Sequence, residues 1–333
     1  MTASDALDTD HAGRLAVLAA HTDNPSAFLA LNRDKTCFTT PGIDGFVAYR
    51  RVGWYWVQFG GPFAPGPDRA RLLADFLAAA RAARRRVVAV QVPRDDADLY
   101  AGHRFSVNQL GASYALELNG WSLGGKRFVR LRNKISRAKR AGLTIEEIDP
   151  VAHAETLAAI DAQWLRGKGR RAHELAFTIG EIGGPLQPWR RLFLGTVDGT
   201  PIGYISYAPV FGARSGWLHD LSRRRPEAPP GVMEAVNLHA IERFRESGCA
   251  WLHFGFTPFT GLSDEHLHPS ASRPATRMLR AAERRGGLFY PAATQLEYKL
   301  KWQPTATIPE YVAFRGRVAP GGILAFLRAI KAI

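Results

Sequence analysis

The sequence predicts a duplicated α/β protein, two strand–loop–helix–strand units joined by a strongly basic helix. Three observations carry this. The same order of elements occurs twice along 333 residues, cations on helical spacing fill the stretch between the copies, and 46% apolar residues suffice for a sizeable core. The first copy opens with paired strands at 45–51 and 54–59, continues through a Gly/Pro loop at 60–67 and a helix at about 68–85, and closes with a strand at 87–92. In the second, strands at 192–197 and 201–208 flank Asp198 and Gly199, a dipeptide whose members both tolerate positive φ and so favour a tight hairpin. A strand at 217–221, a basic Pro-rich loop at 223–230, a helix at about 232–247 stopped by Gly248 and a strand at 250–255 complete it. The predicted boundaries are 1–124, 125–142 and 143–333.

The connecting segment 125–142 is the most informative. Phe128, Leu131, Ile135 and Ala138 recur at helical spacing and form one narrow apolar face. Lys126, Arg127, Arg130, Arg132, Lys134, Arg137, Lys139 and Arg140 occupy most of the rest, with no acid among them to form an i,i+4 pair. So dense a set of like charges disfavours an isolated helix. A phosphate backbone would offset the repulsion, and acids from elsewhere in the fold would do the same. The whole chain carries 44 Lys and Arg against 30 Asp and Glu, a net +14 that fits a polyanion, nucleic acid or an anionic membrane, as well as a surface from an Arg-rich proteome.

Other classes find little support. Cys37 and Cys249 are the only cysteines and share no motif, so neither a disulfide framework nor a zinc site is expected, which suits a cytoplasmic location. The polar, acidic start of the chain lacks the pattern of a signal peptide, and no run reaches the roughly 18 apolar residues of a membrane span. His219 and His253 sit in apolar strands and read first as core histidines. No nucleophile triad, metal spacing or phosphate-binding Walker loop occurs, so no metal or cofactor is expected.

The second half resembles the GNAT acyltransferases, in which a strand–loop–helix unit presents an acyl donor at a splayed sheet. Acetyl-CoA enzymes of that kind hold pyrophosphate on backbone N–H groups of a Gly-rich loop. The matching stretch here, 221–234, contains Pro226, Pro229 and Pro230 and a single glycine, Gly231, so most of that N–H cradle is missing. A closer match covers the chain from about Asn24 to its end. Segments 125–142, 219–234 and 298–304 resemble the catalytic domain of the lysyl-phosphatidylglycerol synthases, which aminoacylate membrane lipid from aminoacyl-tRNA. Residues 254–261 are similar to that family's segment before its variable loop, and 32–35 to part of its N-terminal half.

The resemblance implies two tandem GNAT-like acyltransferase units joined by a basic helix, with aminoacyl-tRNA as co-substrate. The eight cations of the connecting helix are then the expected tRNA contacts. Asp220, Arg223 and Glu234 become candidate catalytic residues, and Asn237, Lys299 and Lys301 candidate substrate contacts. Asp220, expected at a strand end where the sheet opens, can hold the donor's ammonium or take the acceptor's proton, and can equally be a capping or salt-bridging acid. Arg223 suits phosphate or ribose through its planar fork. Glu234 also favours the helix dipole, and Asn237, three residues on, shares its face. Lys299 and Lys301, expected to alternate on a strand, would point to one side, gripping the terminal nucleotides, offsetting an oxyanion, or simply solvated. Three features depart from the lipid-modifying members: no many-helix membrane domain precedes this unit, Leu221 and Ser222 stand between Asp220 and Arg223, and Trp302 follows Lys301. The expected acceptor is therefore a small soluble hydroxyl, hydroxylamine or amine of natural-product type. Phosphatidylglycerol, a CoA-dependent N-acyltransferase and a non-catalytic tRNA- or membrane-binding module are the alternatives. The tail 322–333, apolar with Arg328 and Lys331, is expected to dock on its own domain or to touch an anionic membrane.

Overall fold

In the computed structural model, residues 9–168, 176–285, 292–316 and 318–331 are described. The acidic start of the chain therefore lies mostly outside the described residues. Eleven strands form one sheet: β1 (Thr36–Phe38), β2 (Phe46–Val52), β3 (Tyr55–Phe63), β4 (Arg86–Pro93), β5 (Phe105–Glu117), β6 (Leu143–Glu147), β7 (Arg191–Val197), β8 (Thr200–Val210), β9 (Gly216–Arg224), β10 (Trp251–Pro258) and β11 (Ala306–Arg315). Helices α1 (Thr9–His21), α2 (Gly66–Ala82) and α3 (Ala97–Gly102) accompany the first half. Those of the second are α4 (Val129–Arg140), α5 (Ala154–Gly167), α6 (Val232–Glu246), α7 (Arg273–Arg285), α8 (Ala292–Leu300) and α9 (Pro320–Ala329).

The strand order is β1-β2-β3-β4-β11-β5-β10-β9-β8-β7-β6. Pairing is antiparallel except for β3 with β4 and β9 with β10, one parallel pair in each half. Last strands are exchanged between the halves. β5, which ends the first, pairs with β10 of the second, while β11, which ends the second, pairs with β4 of the first. β5 and β11 also pair with each other over ten residues, so the two halves share one continuous hydrogen-bonded sheet.

The duplicated grammar is realised close to its expected positions. The 198–199 turn joins β7 to β8 with φ 48° and 77°, as a tight hairpin requires. The basic segment begins as a 3-10 turn, Lys126–Phe128, and continues as α4. Its apolar face is buried throughout: Phe128 and Ala138 at 0% exposure, Leu131 and Ile135 at 4%. That face packs on α6 in a core shared with Val232, Val236, Phe244 and Trp302. Gly231 is needed where the two helices meet. Its φ is 94°, and a Cβ there would stand 2.0 Å from the Lys134 carbonyl oxygen.

Two local expectations are corrected. β9 runs on to Arg224, so Asp220 lies inside the strand and not at its end. Lys299 belongs to α8 and Lys301 follows its last turn, so the two do not alternate along a strand. The alternation of apolar and charged residues over 296–302 reads as a strand, but Leu296, Tyr298 and Trp302 pack in the core beside β10 from a helix and the turn after it. The tail docks on its own domain through Gly322, Ala325, Ala329 and Ile330.

Candidate active site

The parallel pair β9/β10 is bonded over only three positions, Gly216–Trp251, Trp217–Leu252 and Leu218–His253. Beyond them the strands part, and the residues on either lip of the opening carry the chemistry. On the β10 lip, Lys299 donates to the carbonyl oxygens of Gly255 (2.7 Å) and Phe256 (3.1 Å) and to Thr257 Oγ1 (2.7 Å). Its ammonium thus satisfies acceptors that β9 has left behind. Burial pushes its pKa down to about 7, against the opposing pull of Glu310. Burial raises Glu310 to about 7 while Ser113, Gln91 and Lys299 hold it down.

On the β9 lip, Ser206 faces Leu221 and Tyr207 faces His219, which leaves Asp220 unopposed in a bulge. The extra residue changes the strand's alternation, so Leu221 joins the apolar layer of Leu157 and Ile160 on α5 and Asp220 meets Gly180 and Arg190. The Asp220 side chain is 1% exposed and that of Arg190 0%, with Oδ2 and Nε 3.9 Å apart. Asp220 Oδ2 and Arg190 Nε and Nη1 are buried without a hydrogen-bond partner among the described residues. Burial lifts Asp220 to about 6, while Arg190, the Gly180 N–H, Arg223 and Lys35 pull it down. The carboxylate is therefore ionised at neutral pH yet more basic than an exposed one.

The first half of the chain braces this group. Asn32 Oδ1 accepts from Arg190 Nη2 at 2.7 Å, and Asn32 Nδ2 donates to the Ile179 carbonyl at 3.0 Å. The Phe28 ring lies 4.9 Å beneath the guanidinium. Lys35 is enclosed between Phe59 and Phe177, 5.0 Å from each centroid, and bonds Asp34 at 2.8 Å. These four polar or charged positions (Asn32, Asp34, Lys35, Arg190) are the part that sequence reasoning missed. Residues 32–35 stand in the sequence as a short polar run, and only the chain's path brings them to β9.

The remaining candidates divide. Arg223 is buried against Asp161 (3.8 Å) and stacks on Trp164 at 4.0 Å. Glu234, in the first turn of α6, meets Lys134 at 3.5 Å and Lys301 at 3.4 Å, so α4, α6 and the end of α8 converge on one carboxylate. Asn237 is fully enclosed and accepts from the Tyr207 hydroxyl at 2.7 Å, with His219 Nδ1 at 3.2 Å. The expected room for a polar substrate beside Asn237 is therefore filled by Tyr207 and His219. Burial lowers His219 to about 4, which leaves it neutral and a weak base. His253 is a core histidine bonded to the Arg214 carbonyl.

The eight cations of the basic segment divide too. Arg132 turns back to the carbonyls of Leu123 and Gly125 and Lys134 goes to Glu234. Lys126, Arg127, Arg130, Arg137, Lys139 and Arg140 are exposed, without an acid partner among the described residues. Neither Asp220 nor the Lys134–Glu234–Lys301 group lines the surface cavity formed by Leu118, Asn119, Glu242, Arg245 and Cys249.

A splayed parallel pair, a helix that follows β9 and a buried acid beside the opening make up the candidate site. The family description "Phosphatidylglycerol lysyltransferase, C-terminal" matches residues 15–314. The chain belongs to this family. It is 23% identical over 296 residues to phosphatidylglycerol lysyltransferase of Bacillus subtilis, covering 88% of this chain and 33% of that protein. It is 27% identical over 217 residues to the lysylphosphatidylglycerol biosynthesis bifunctional protein LysX of Mycobacterium avium, covering 62% of this chain and 17% of that one. The chain thus spans about a third or less of these relatives' length. Among solved structures, L-PGS from Bacillus licheniformis superposes with TM-score 0.76 at 23% identity over 97% of each chain. A C-terminal domain from Agrobacterium fabrum, named for lysylphosphatidylglycerol synthetase, gives 0.77 at 21% identity over 98% of this chain and 96% of that one. The fold is that of these two solved domains.

Proposed function

We propose that this family member moves an aminoacyl group from charged tRNA to a hydroxyl of phosphatidylglycerol or a closely similar lipid. The sequence alone favours a small soluble acceptor, but the relatives' names support a lipid. The observation that carries the chemistry is the buried, incompletely bonded pair of Asp220 and Arg190 beside the β9/β10 opening. A carboxylate of raised basicity can take the acceptor's proton, and unused guanidinium donors can meet the acyl oxygen as charge develops on it. In that step the acceptor oxygen bonds to the acyl carbon, its proton passes to Asp220, and the ribose–acyl bond breaks. The ribose oxygen leaves with the proton that Asp220 took up, which returns the acid to its carboxylate form. No cofactor beyond the aminoacyl-tRNA co-substrate enters this reaction.

The start of α6 speaks against CoA. Gly231 is packed against the Lys134 carbonyl, and the N–H groups of Arg225, Ala228 and Val232 already bond Ile202, Arg225 and Pro229. Little remains there to cradle pyrophosphate.

Radiolabelled aminoacyl-tRNAs incubated with the protein and phosphatidylglycerol vesicles test the proposal. Label is expected in the lipid fraction; label that leaves tRNA only when a soluble extract is supplied would return the acceptor to a small molecule. For the donor, replacing Arg130, Arg137 and Lys139 with Ala is expected to weaken tRNA binding. The salt slope should flatten by about one for each phosphate that is no longer neutralised.

A further inference from the structure

Trp54 forms the tip of the β2–β3 hairpin, with 73% of its surface exposed. Hairpin tips ordinarily carry small polar residues, and an indole in water gains nothing there. The Arg85 guanidinium lies 5.3 Å from the ring and bonds the Gly53 carbonyl, while Arg84 and Arg86 beside it are exposed. Helix α9 runs along the same hairpin. At its start, a Cβ on Gly321 would stand 3.0 Å from the Tyr55 hydroxyl; near its end, Arg50 donates to the Ala329 carbonyl at 3.0 Å. With Gly322, Ala325 and Ala329 turned inward, the helix presents Leu324 and Arg328, four residues apart, to the outside, and Lys331 is exposed just beyond its end. Among the described residues no acid pairs with these five cations.

The strip ends at the candidate active site. The Ile330 carbonyl accepts from Ala176 N, the next residue Phe177 donates to Asp34, and Asp34 holds Lys35 and lies 3.8 Å from Arg50. A surface that begins at an exposed indole thus leads to the residues that flank Asp220.

We propose that this strip is where the protein lies on an anionic bilayer, with Trp54 and Leu324 entering the headgroup layer and the cations pairing with lipid phosphates. The inference rests on the lipid-acceptor reading above and places that acceptor's surface. Indole and aliphatic side chains interleaved with arginine match the interface of a bilayer. Duplex RNA fits less well, because its bases are stacked inside the helix and offer an exposed indole and leucine nothing to enter.

Flotation of the whole protein with vesicles measures this without any transfer reaction. Binding to vesicles containing phosphatidylglycerol is expected, with little to pure phosphatidylcholine. Arg85→Glu and Arg328→Glu should each lower the partition coefficient at least five-fold, since one cation near such a surface is worth about that factor. Trp54→Ala should also lower it and remove a blue-shifted component from the fluorescence of the bound protein. All three positions are at the surface, so unchanged melting temperatures are expected. Replacing Arg130, Arg137 and Lys139 with Ala should leave flotation intact. The inference is overturned if the strip variants float as well as the parent protein, if the α4 variant alone loses binding, or if the strip variants lose tRNA binding instead. A protein that floats through this strip yet labels no lipid would leave the inference standing and refute the lipid acceptor.

Discussion

Both halves of the molecule open a parallel strand pair, and they close the opening in opposite ways. β3 and β4 are bonded as far as Phe59 and Val90, β9 and β10 only as far as Leu218 and His253. In the first half the residues that follow on β3 are Gly60 and Gly61; the loose main-chain groups are met by neutral side chains, and the buried acid against Gly61, Asp96, is ion-paired with Arg69. The Gly60 carbonyl takes the Tyr100 hydroxyl, itself held by Gln58 at 2.6 Å, and the Gln91 carbonyl takes Asn24 at 3.2 Å. In the second half the corresponding β9 residues are His219 and Asp220, and an ammonium, Lys299, closes the β10 side. Neutral groups satisfy their hydrogen bonds with little desolvation cost, and Asp96 has a bonded partner in Arg69. Asp220 Oδ2 has no such bond among the described residues, and a buried charge left so costs more and marks a candidate site. Under the proposed function the first opening is structural and the second carries the reaction.

The largest expected effect tests that assignment directly. Asp220→Asn should lower the rate of aminoacyl transfer by about two to four orders of magnitude, the usual range for a group that moves a proton. A variant with near-parental turnover would make the second opening as structural as the first. The same substitution has a pH signature. Asp220 titrates at about 6 in the folded protein against 3.8 as its ordinary value, so the folded state holds the extra proton between them. Stability contributed by the protonated acid is therefore present below pH 4 and is lost as pH rises towards 6, by at most about 3 kcal/mol. The difference between parent and Asp220→Asn melting curves should change across that window and stay level above it.

Lys299→Met comes next. It removes an ammonium that bonds two carbonyls and Thr257 and leaves those acceptors buried, at a cost of about 2–4 kcal/mol. Thermal denaturation at pH 6, where Lys299 is mostly charged, is the measurement. A loss below about 1 kcal/mol would show that the charged seal is no more demanding than the neutral one.

Much of this contrast was legible in the sequence, and the rest was hidden for physical reasons. Element order, the hairpin at Asp198–Gly199 and the buried face of α4 follow from local spacing, so they read correctly. Asp220, Arg223, Glu234 and the lysines were reached only through family resemblance, because a lone acid in a strand has no local signature. Their settings depend on contacts distant in the chain. The bulge that leaves Asp220 unopposed arises from pairing with β8, and the brace on Arg190 comes from Asn32, 158 residues earlier. Lys299 and Lys301 were misassigned to a strand because seven mixed apolar and polar residues do not separate a strand from a short helix. The exchange of β5 and β11 has no sequence signal at all, since either strand would satisfy its own half's periodicity.

The smallest expected effect lies in the first half, at Tyr100. Its hydroxyl is fully buried, and burial raises its pKa, so it remains protonated throughout the working range. It accepts from Gln58 at 2.6 Å and donates to the Gly60 carbonyl at 3.4 Å, a length that makes the second bond weak. Tyr100→Phe keeps the ring and its edge contact with Phe105, so no cavity forms. The variant forgoes one good neutral hydrogen bond and one poor one, about 1–2 kcal/mol, with the Gln58 amide left short of a partner. Transfer activity should be unaltered at a temperature where the variant is fully folded. If turnover instead fell ten-fold or more with the melting point nearly unchanged, the first opening would have a part in the reaction. The division of labour between the two halves would then be wrong.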